Sequence, residues 1–482
     1  MINPIDFIRT LLTKTAFERG FYEGGKITQT NKDFWNATSD FETTASPDRD
    51  RMRARARWLS ANNPIMDNID NAIINNVIGT GISLQSITGK DKFDKDVEEK
   101  FALWAETPSM CDVTGRFTFY DMQRMILKSR MVDGEIYIYK KVTKDGLKLQ
   151  LIEADAIDSG RQDGGIELDA TGVVKTYHFK DIKGVSFSIS AEFIINYFVS
   201  DRPSQVRGIS EYKQAIVDLK NFSAFQSASI QGARARANIA YAVKTNGSSN
   251  LYGGDIKNNI QSINGTSVLY LNSGEEVSKL DPDSVATDYV QFSENTIRLI
   301  ATARKISYEL AFRDYSKVNF ASSRASLLQD FKRFDQEQLH LIHYILNDVY
   351  KTWLTIASLT GEVKASGIKK APTKWIKPKW ILPKRDLVDP LKEITAIEKK
   401  IKMGITCESD VANQNGEDYE QILIKKAKEI ELKTKYGVPD YTLIPDENYG
   451  EYDYDDDDDS GKTDVDEHQT GAESSNDKKE NK

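Results

Sequence analysis

Two helical stripes of apolar residues flank a polar, aromatic loop in the chain's second half. Phe292, Thr296, Leu299, Ile300 and Ala303 recur at helical spacing, as do Leu327, Leu328, Phe331 and Phe334. Between them lies Arg313-Asp314-Tyr315-Ser316-Lys317-Val318-Asn319-Phe320. Ser322 or Ser323 is placed to cap the second helix. That helix is expected to run from about Ser322 to Ser358, through Leu341, Ile345, Val349 and Trp353. At 1.5 Å per residue it spans about 55 Å and so crosses between substructures. Taken alone, an ordinary surface loop between helices reads the same residues equally well.

Upstream, residues 20–50 are polar and rich in Thr, Asn and Asp, which predicts an extended arm. Arg49, Arg51, Arg53, Arg55 and Arg57 follow. Trp58, Leu59, Ile65, Ile69, Ile73, Val77 and Ile78 then recur with a helical period, so helices are expected on either side of Asn62-Asn63-Pro64. Gly79 and Gly81 stop the second of them. The arginines fit a solvated helix face or a subunit or DNA interface equally well. Residues 92–130 carry two further helical patterns. From Gly134 the period changes to that of strands, with a turn at Asp145-Gly146, and the stretch 135–200 is the main β-rich part.

A long helical run is expected from Ile209 to about Tyr241. Its second half is rich in small residues, among them Ala228, Gly232, Ala233 and Ala237. Small residues allow close helix approach, though a helix of high intrinsic propensity packed in its own core reads the same way. Residues 244–287 are turn-rich around strands such as Ser267–Leu271, which suggests a small α+β insertion. Residues 371–390 are rich in Pro and Trp, and helices are expected from Leu391 to Met403 and up to about Tyr436.

The net charge of −8 is unevenly spread. Residues 446–482 hold fifteen acids and four bases, leaving a near-neutral body. That tail cannot bury a core, and its composition predicts disorder. A near-neutral body is not that of a dedicated tight DNA binder, yet it suits a surface along which DNA slides. No run of about 18 apolar residues predicts a membrane span, and Met1–Gly20 is amphipathic rather than a secretory leader. Cys111 and Cys407 are far apart, so no disulfide framework is expected.

Little in the chain predicts catalysis. Gly461-Lys462-Thr463 lacks the upstream glycine of a phosphate-binding loop and any preceding strand. Gly79-Thr80-Gly81 lacks the third glycine of a dinucleotide site. His340 and His343 share a helix face, but two solitary ligands make a weak metal site. Asp455–Asp459 lack the spacing of a calcium loop. Glu153, Asp155 and Asp158 could form a hydrolytic set, and a strand edge followed by a loop is the simpler account. No catalytic residue, cofactor or metal is expected.

The loop sequence resembles a signature of the lambda family of tailed-phage portal proteins: Asp314-Tyr315-Ser316, then Asn319-Phe320-Ala321-Ser322, then Arg324-Ala325. Other segments follow in that family's order. They are Arg53-Ala54-Arg55-Ala56-Arg57-Trp58-Leu59 with Asn62-Asn63-Pro64, Asn76 to Ile82, Asp133-Gly134-Glu135, Gln150 to Asp155, Asp201 to Gly208, and Asn272 to Glu275. Phe320 stands where tyrosine is usual, and the acidic tail has no counterpart in the resemblance. The resemblance spans roughly residues 50–430.

It implies an α+β portal fold assembled as a ring, usually of twelve copies, at one capsid vertex. By position it implies an N-terminal arm (1–50), a wing (51–208), a first stem helix (209–241), a clip (242–287) and a second stem helix (288–304). A tunnel loop (305–321), a long wing helix with its connection (322–385), a crown (386–445) and the tail (446–482) follow. Arg313, Asp314, Tyr315, Ser316, Lys317, Asn319 and Phe320 would face DNA. Ala228, Gly232, Ala233 and Ala237 would pack the stem. The implied partners are other copies of the chain, double-stranded DNA, the terminase large subunit, major capsid and scaffolding proteins, and head–tail connectors. The implied location is the virion, with the host cytoplasm during assembly, and no membrane. A minor capsid or head-completion protein, or further behind a metal-dependent hydrolase, stands as the alternative.

Overall fold

The computed structural model describes residues 40–161, 163–181, 183–244, 260–263, 266–271, 289–384, 390–415 and 417–437. Residues 1–39 of the expected arm, much of the expected clip and the acidic tail lie outside them. The elements in chain order are α1 (Phe41–Asn62), α2 (Pro64–Val77), β1 (Ser83–Ser86), α3 (Asp91–Glu106), α4 (Pro108–Cys111) and α5 (Phe119–Asp133). Next come β2 (Glu135–Thr143), β3 (Gly146–Glu153), β4 (Ile166–Leu168), β5 (Val174–Lys180), β6 (Ser186–Ser190) and β7 (Ile194–Phe198). A helical turn at Glu211–Gln214 leads into α6 (Ile216–Asn238), followed by β8 (Ile239–Lys244), β9 (Ile260–Ile263) and β10 (Thr266–Leu271). The rest are α7 (Tyr289–Ala303), α8 (Tyr308–Phe312), α9 (Phe320–Leu341), α10 (Asn347–Thr360), β11 (Pro378–Ile381), α11 (Pro390–Lys402), α12 (Glu408–Gln414) and α13 (Tyr419–Tyr436).

The chain divides into two compact units, Met1–Tyr419 and Glu420–Lys482. In the first, the expected mixture of helix and sheet is present. Asn63 starts α2: its side chain accepts from the Ile65 and Met66 amides at 3.1 Å each, with Pro64 in the first turn. A Thr118–Asp121 capping box opens α5, and Gly134, at φ 95°, ends it. The main core gathers Ile73, Val77, Phe101, Trp104, Tyr350 and Trp353. The Phe101 ring meets Trp353 edge-on at 5.1 Å, and the Trp104 indole donates to the Leu147 carbonyl at 2.8 Å.

β2 is the middle strand of an antiparallel sheet, order β3-β2-β7. The β2–β3 hairpin turns where Gly146 adopts φ 118°. A second antiparallel sheet, β4-β5-β6, packs over a small core of its own, formed by Tyr137, Ile152, Ile166, Tyr177 and Phe179. β10 pairs with β8 in parallel and with β9 antiparallel, and β1 pairs with β11. In the second unit the described residues form α13.

Four boundaries differ from expectation. The polar stretch ending at residue 50 is helical from Phe41, because tertiary partners hold it. Asp40 caps it by accepting from Thr43, and the Glu42 carboxylate accepts from the Val206 and Arg207 amides at 2.9 and 3.1 Å. The first long helix begins at Ile216, after the 211–214 turn, and gives way to β8 at Ile239. The segment 305–321 contains the short helix α8. The long helix runs from Phe320 to Thr360 with one π turn at Ile342–Leu346, and Asn319 caps it instead of Ser322 or Ser323. Asn319 still has extended backbone, and its side chain accepts from the Ser322 amide at 2.9 Å.

Gly134 and Gly208 show how tightly distant segments meet. A Cβ on Gly208 would lie 2.1 Å from the Gly134 carbonyl oxygen, and one on Gly134 would lie 2.4 Å from the Ile209 backbone. Neither neighbour is a flexible side-chain tip. Gly208→Ala is therefore expected to cost about 3 kcal/mol, the upper end of overpacking penalties. A chemical-denaturation midpoint close to that of the wild type would show that the two segments can separate freely.

Candidate functional site

The motifs that follow one another along the sequence converge in space. Arg57, on α1, forms a two-pronged pair with Asp133 at 2.7 and 2.8 Å and also reaches Asp155 and Glu153. Arg53, nearly buried, pairs with Asp155 and Asp50 at 2.6 Å each. Glu135 is fully buried. It accepts from the Arg207 Nε at 2.7 Å and from the Gly208 amide at 2.9 Å. Arg53 and Arg57 thus form one ionic cluster with Asp133, Glu153 and Asp155, and Glu135 forms a separate buried pair with Arg207. Arg49, Arg53 and Arg57 serve intrachain pairs, a role outside both sequence-based expectations for them, because their partners lie up to 98 residues away.

Deeper lies a cluster of charges that the sequence pattern did not reveal. Arg304, which follows α7, is fully buried and bonds Asp70 at 2.9 Å and Glu211 at 3.0 Å. Arg130 pairs with Glu211 and, at 2.6 Å, with Glu337. Arg333 pairs with Glu211 at 3.0 Å. Asp70 also accepts from the Tyr212 hydroxyl at 2.5 Å and from Ser60 at 3.1 Å, and Arg304 lies over the Tyr212 ring. Burial pushes the Glu211 carboxyl up, but Arg130, Arg304 and Arg333 outweigh it and hold the group far below the usual carboxylate range. At Asp70 burial prevails instead, and its pKa is raised against the pull of Arg304. The cluster binds the entry to α6, the exit from α7 and the body of α9 to α2 and α5. A signal was present: Asp70 and Arg304 occupy positions in phase with the apolar stripes of Met66-Ile69-Ile73 and Ile297-Ile300.

Downstream of Arg304 the loop is anchored at its start. Ser307 donates from its amide and hydroxyl to Asp330 at 2.9 and 2.6 Å. The Asn68 side-chain amide donates to the Leu310 and Ala311 carbonyls at the end of α8. Arg313 then takes a left-handed conformation, φ 56°, and is exposed. Asp314 is held by its neighbours. It accepts from the Ser316 hydroxyl and amide at 2.6 and 3.0 Å and from the Tyr308 hydroxyl at 3.3 Å, and the Ser316 bonds lead in lowering its pKa. Lys317, 62 % exposed, pairs with Glu294 on α7. The neutralisation of Lys317 thus comes from the preceding helix. Tyr315 is exposed and Asn319 is the cap; the Phe320 side chain lies outside the described residues.

The helices α6 and α7 meet through Phe225, whose ring lies 4.3 Å from Phe292 and 5.5 Å from Tyr289. Val217, Ile230, Val290 and Leu299 on these helices are all more than half exposed. Ala228 and Ala233 are exposed and Gly232 is half-buried, so these three lie outside the core that the described residues form. The Ala237 side chain lies outside the described residues.

Several other sequence candidates have structural partners, whereas His343 is exposed and residues 455–463 lie outside the described residues. Asp158 pairs with Lys180 at 2.6 Å, while Glu153 and Asp155 serve the arginines. The ring of His340 lies between Tyr197 and Tyr344 and hydrogen-bonds the Tyr197 hydroxyl at 3.0 Å. Burial first, and Arg130 second, lower its pKa. Cys111 is buried, which pushes its thiol up to about 12, and Cys407 is exposed. Among the described residues no three metal-ligating side chains are grouped, and no helix is long and apolar enough to cross a membrane.

The phage portal proteins of the lambda family match residues 28–338. The chain is 25 % identical over 433 residues to a probable portal protein of Halomonas phage phiHAP-1, covering 81 % of this chain and 82 % of that protein. It is 19 % identical over 480 residues to portal protein B of Escherichia phage lambda, with 85 % and 89 % covered. A chain from the neck of an empty gene transfer agent particle superposes with a TM-score of 0.40 at 12 % identity, covering 77 % of this chain and 94 % of that one. The chain belongs to the lambda family of phage portal proteins, structural components of the virion.

Proposed function

We propose that copies of this chain close into a dodecameric ring at one capsid vertex. The ring nucleates procapsid assembly, docks the terminase large subunit and passes DNA inward. It later binds the head–tail connectors and releases the genome. In this reading α6 and α7 form the stem, the segment 242–287 the clip, and residues 305–321 the tunnel loop. The earlier helices and the two antiparallel sheets form the wing with α9 and α10, and residues 386–445 form the crown.

Family membership supports the reading, and one observation carries the assembly: among the described residues the two stem helices present exposed apolar and small side chains. A cyclic ring covers such a face with the neighbouring copy, and the same contact repeats at every interface. Electron microscopy of purified protein is expected to show closed rings. Ala233→Leu adds bulk on the small face, at about 1–3 kcal/mol per interface. It is expected to lower ring yield at equal soluble expression. Normal rings from this variant would remove α6 from a tight stem, and a strictly monomeric wild type would remove the ring itself.

A further inference from the structure

The segment after α10 carries a charge feature that the portal reading does not use. From Val363 to Arg385 the sequence holds eight bases and no acid, within a chain whose net charge is −8. Lys364, Lys369, Lys370, Lys374, Lys377 and Lys384 are exposed. Among the described residues none of these six has a carboxylate within ion-pair distance, whereas Lys379 reaches Asp410 at 3.8 Å. The backbone beneath them is fixed. Successive turns run from Ala365 to Ile376, with Lys370 bonding back to Gly367 at 2.9 Å and Ile376 to Pro372 at 2.9 Å. The strand β11 is then pinned to β1, and the Ile87 amide donates to the Lys377 carbonyl at 3.0 Å. Lys90, from the loop before α3, adds a further cation. Its ammonium lies 3.5 Å from the centre of the Trp375 ring, which packs edge-on against Phe93 at 4.8 Å.

We infer that this lysine surface is a second site for the phosphate backbone of double-stranded DNA, separate from the loop at 305–321. Two observations favour nucleic acid over an acidic protein. No large apolar side chain is exposed between residues 363 and 384, although Ile87 borders the surface; a protein interface needs a dry apolar centre. The described cations are all lysines, compact hydrated charges suited to diffuse phosphate contact, without the planar fork that reads base edges or carboxylates in pairs. The contact is therefore sequence-independent and strongly salt-dependent. It neither needs the ring nor rests on the channel reading.

The test is binding of a short mixed-sequence duplex to the full chain across a salt series. Wild type is compared with a variant carrying Lys369→Gln, Lys370→Gln, Lys374→Gln and Lys377→Gln. A matched variant carries Arg at the same four positions. Removing four phosphate contacts is expected to reduce the slope of log affinity against log salt by about 3.6 and to weaken binding at low salt by about tenfold or more. The Arg variant is expected to retain both. A loop variant, Arg313→Gly with Lys317→Ala, is expected to keep the surface's share of the binding, which separates the two sites. Wild-type affinity and slope in the Gln variant would overturn the inference. So would tighter binding of a polyaspartate peptide than of a duplex of equal charge, lost in the Gln variant, since the surface would then belong to an acidic protein segment.

Discussion

Arg304→Ala is expected to destabilise the first unit by about 3–5 kcal/mol, the cost of breaking a buried ion pair from one side. The guanidinium is wholly buried between Asp70 and Glu211. Removing it strands Asp70 without its counter-charge, and the Ser60 and Tyr212 hydroxyls can only partly compensate. Asp70→Asn in the same background is expected to restore part of the loss, a coupling that a double-mutant cycle in urea would measure. Simple additivity of the two changes would show that the pair is not coupled.

The same cluster predicts an acid dependence. The folded-state pKa of Glu211 lies below its unfolded value, so its contribution is present above about pH 4.5 and is lost as the pH falls. Asp70 acts with the opposite sign, because its folded pKa is raised; its ionised form becomes a burden as the pH rises. Glu211→Gln is therefore expected to lower stability at neutral pH while flattening its decline on acidification. An unchanged slope would place the acid sensitivity elsewhere.

What the sequence made legible was whatever has a local cause. α7 and the long helix from Phe320 follow from their apolar stripes, the β2–β3 hairpin from Asp145-Gly146, and the end of α2 from its glycines. The missed features depend on distant partners. Residues 41–50 are polar and look loose, yet Glu42 is fixed by backbone amides more than 160 positions away. The five-residue helix α8 is too short to stand alone; Asp330 and Asn68 hold its two ends. Asn319 displaced the two serines as cap because the chain is still extended there. Within the arginine run Arg51 and Arg55 are exposed, as on a solvated face, but alternation shows charge and not the location of Asp133 and Asp155, which hold Arg53 and Arg57. The family resemblance, by contrast, was carried by these same residues, and the structure gives a physical reason for several of its motifs: they pair ionically with one another across the chain.

The loop variant Arg313→Gly with Lys317→Ala is expected to leave rings and procapsids intact while DNA packaging or retention fails. Position 313 has φ 56°, which glycine adopts readily, whereas alanine carries the same Cβ as the arginine it replaces and would leave the backbone strain unchanged. The two cations are not equivalent. Arg313 is exposed, whereas Lys317 is already neutralised by Glu294. Arg313→Gly alone is therefore expected to have the larger effect, and removing one cation from the phosphates lowers the salt slope of DNA retention by about 0.9. Glu294→Gln frees Lys317 and should act in the opposite direction, strengthening retention and slowing release. That reversal of sign is the sharpest check, since a loop that only packs between subunits would lose assembly in the double variant and show no change in retention on removing Glu294. Ring formation, packaged DNA and release are scored separately. Normal packaging and retention in the double variant would remove this loop from the DNA path.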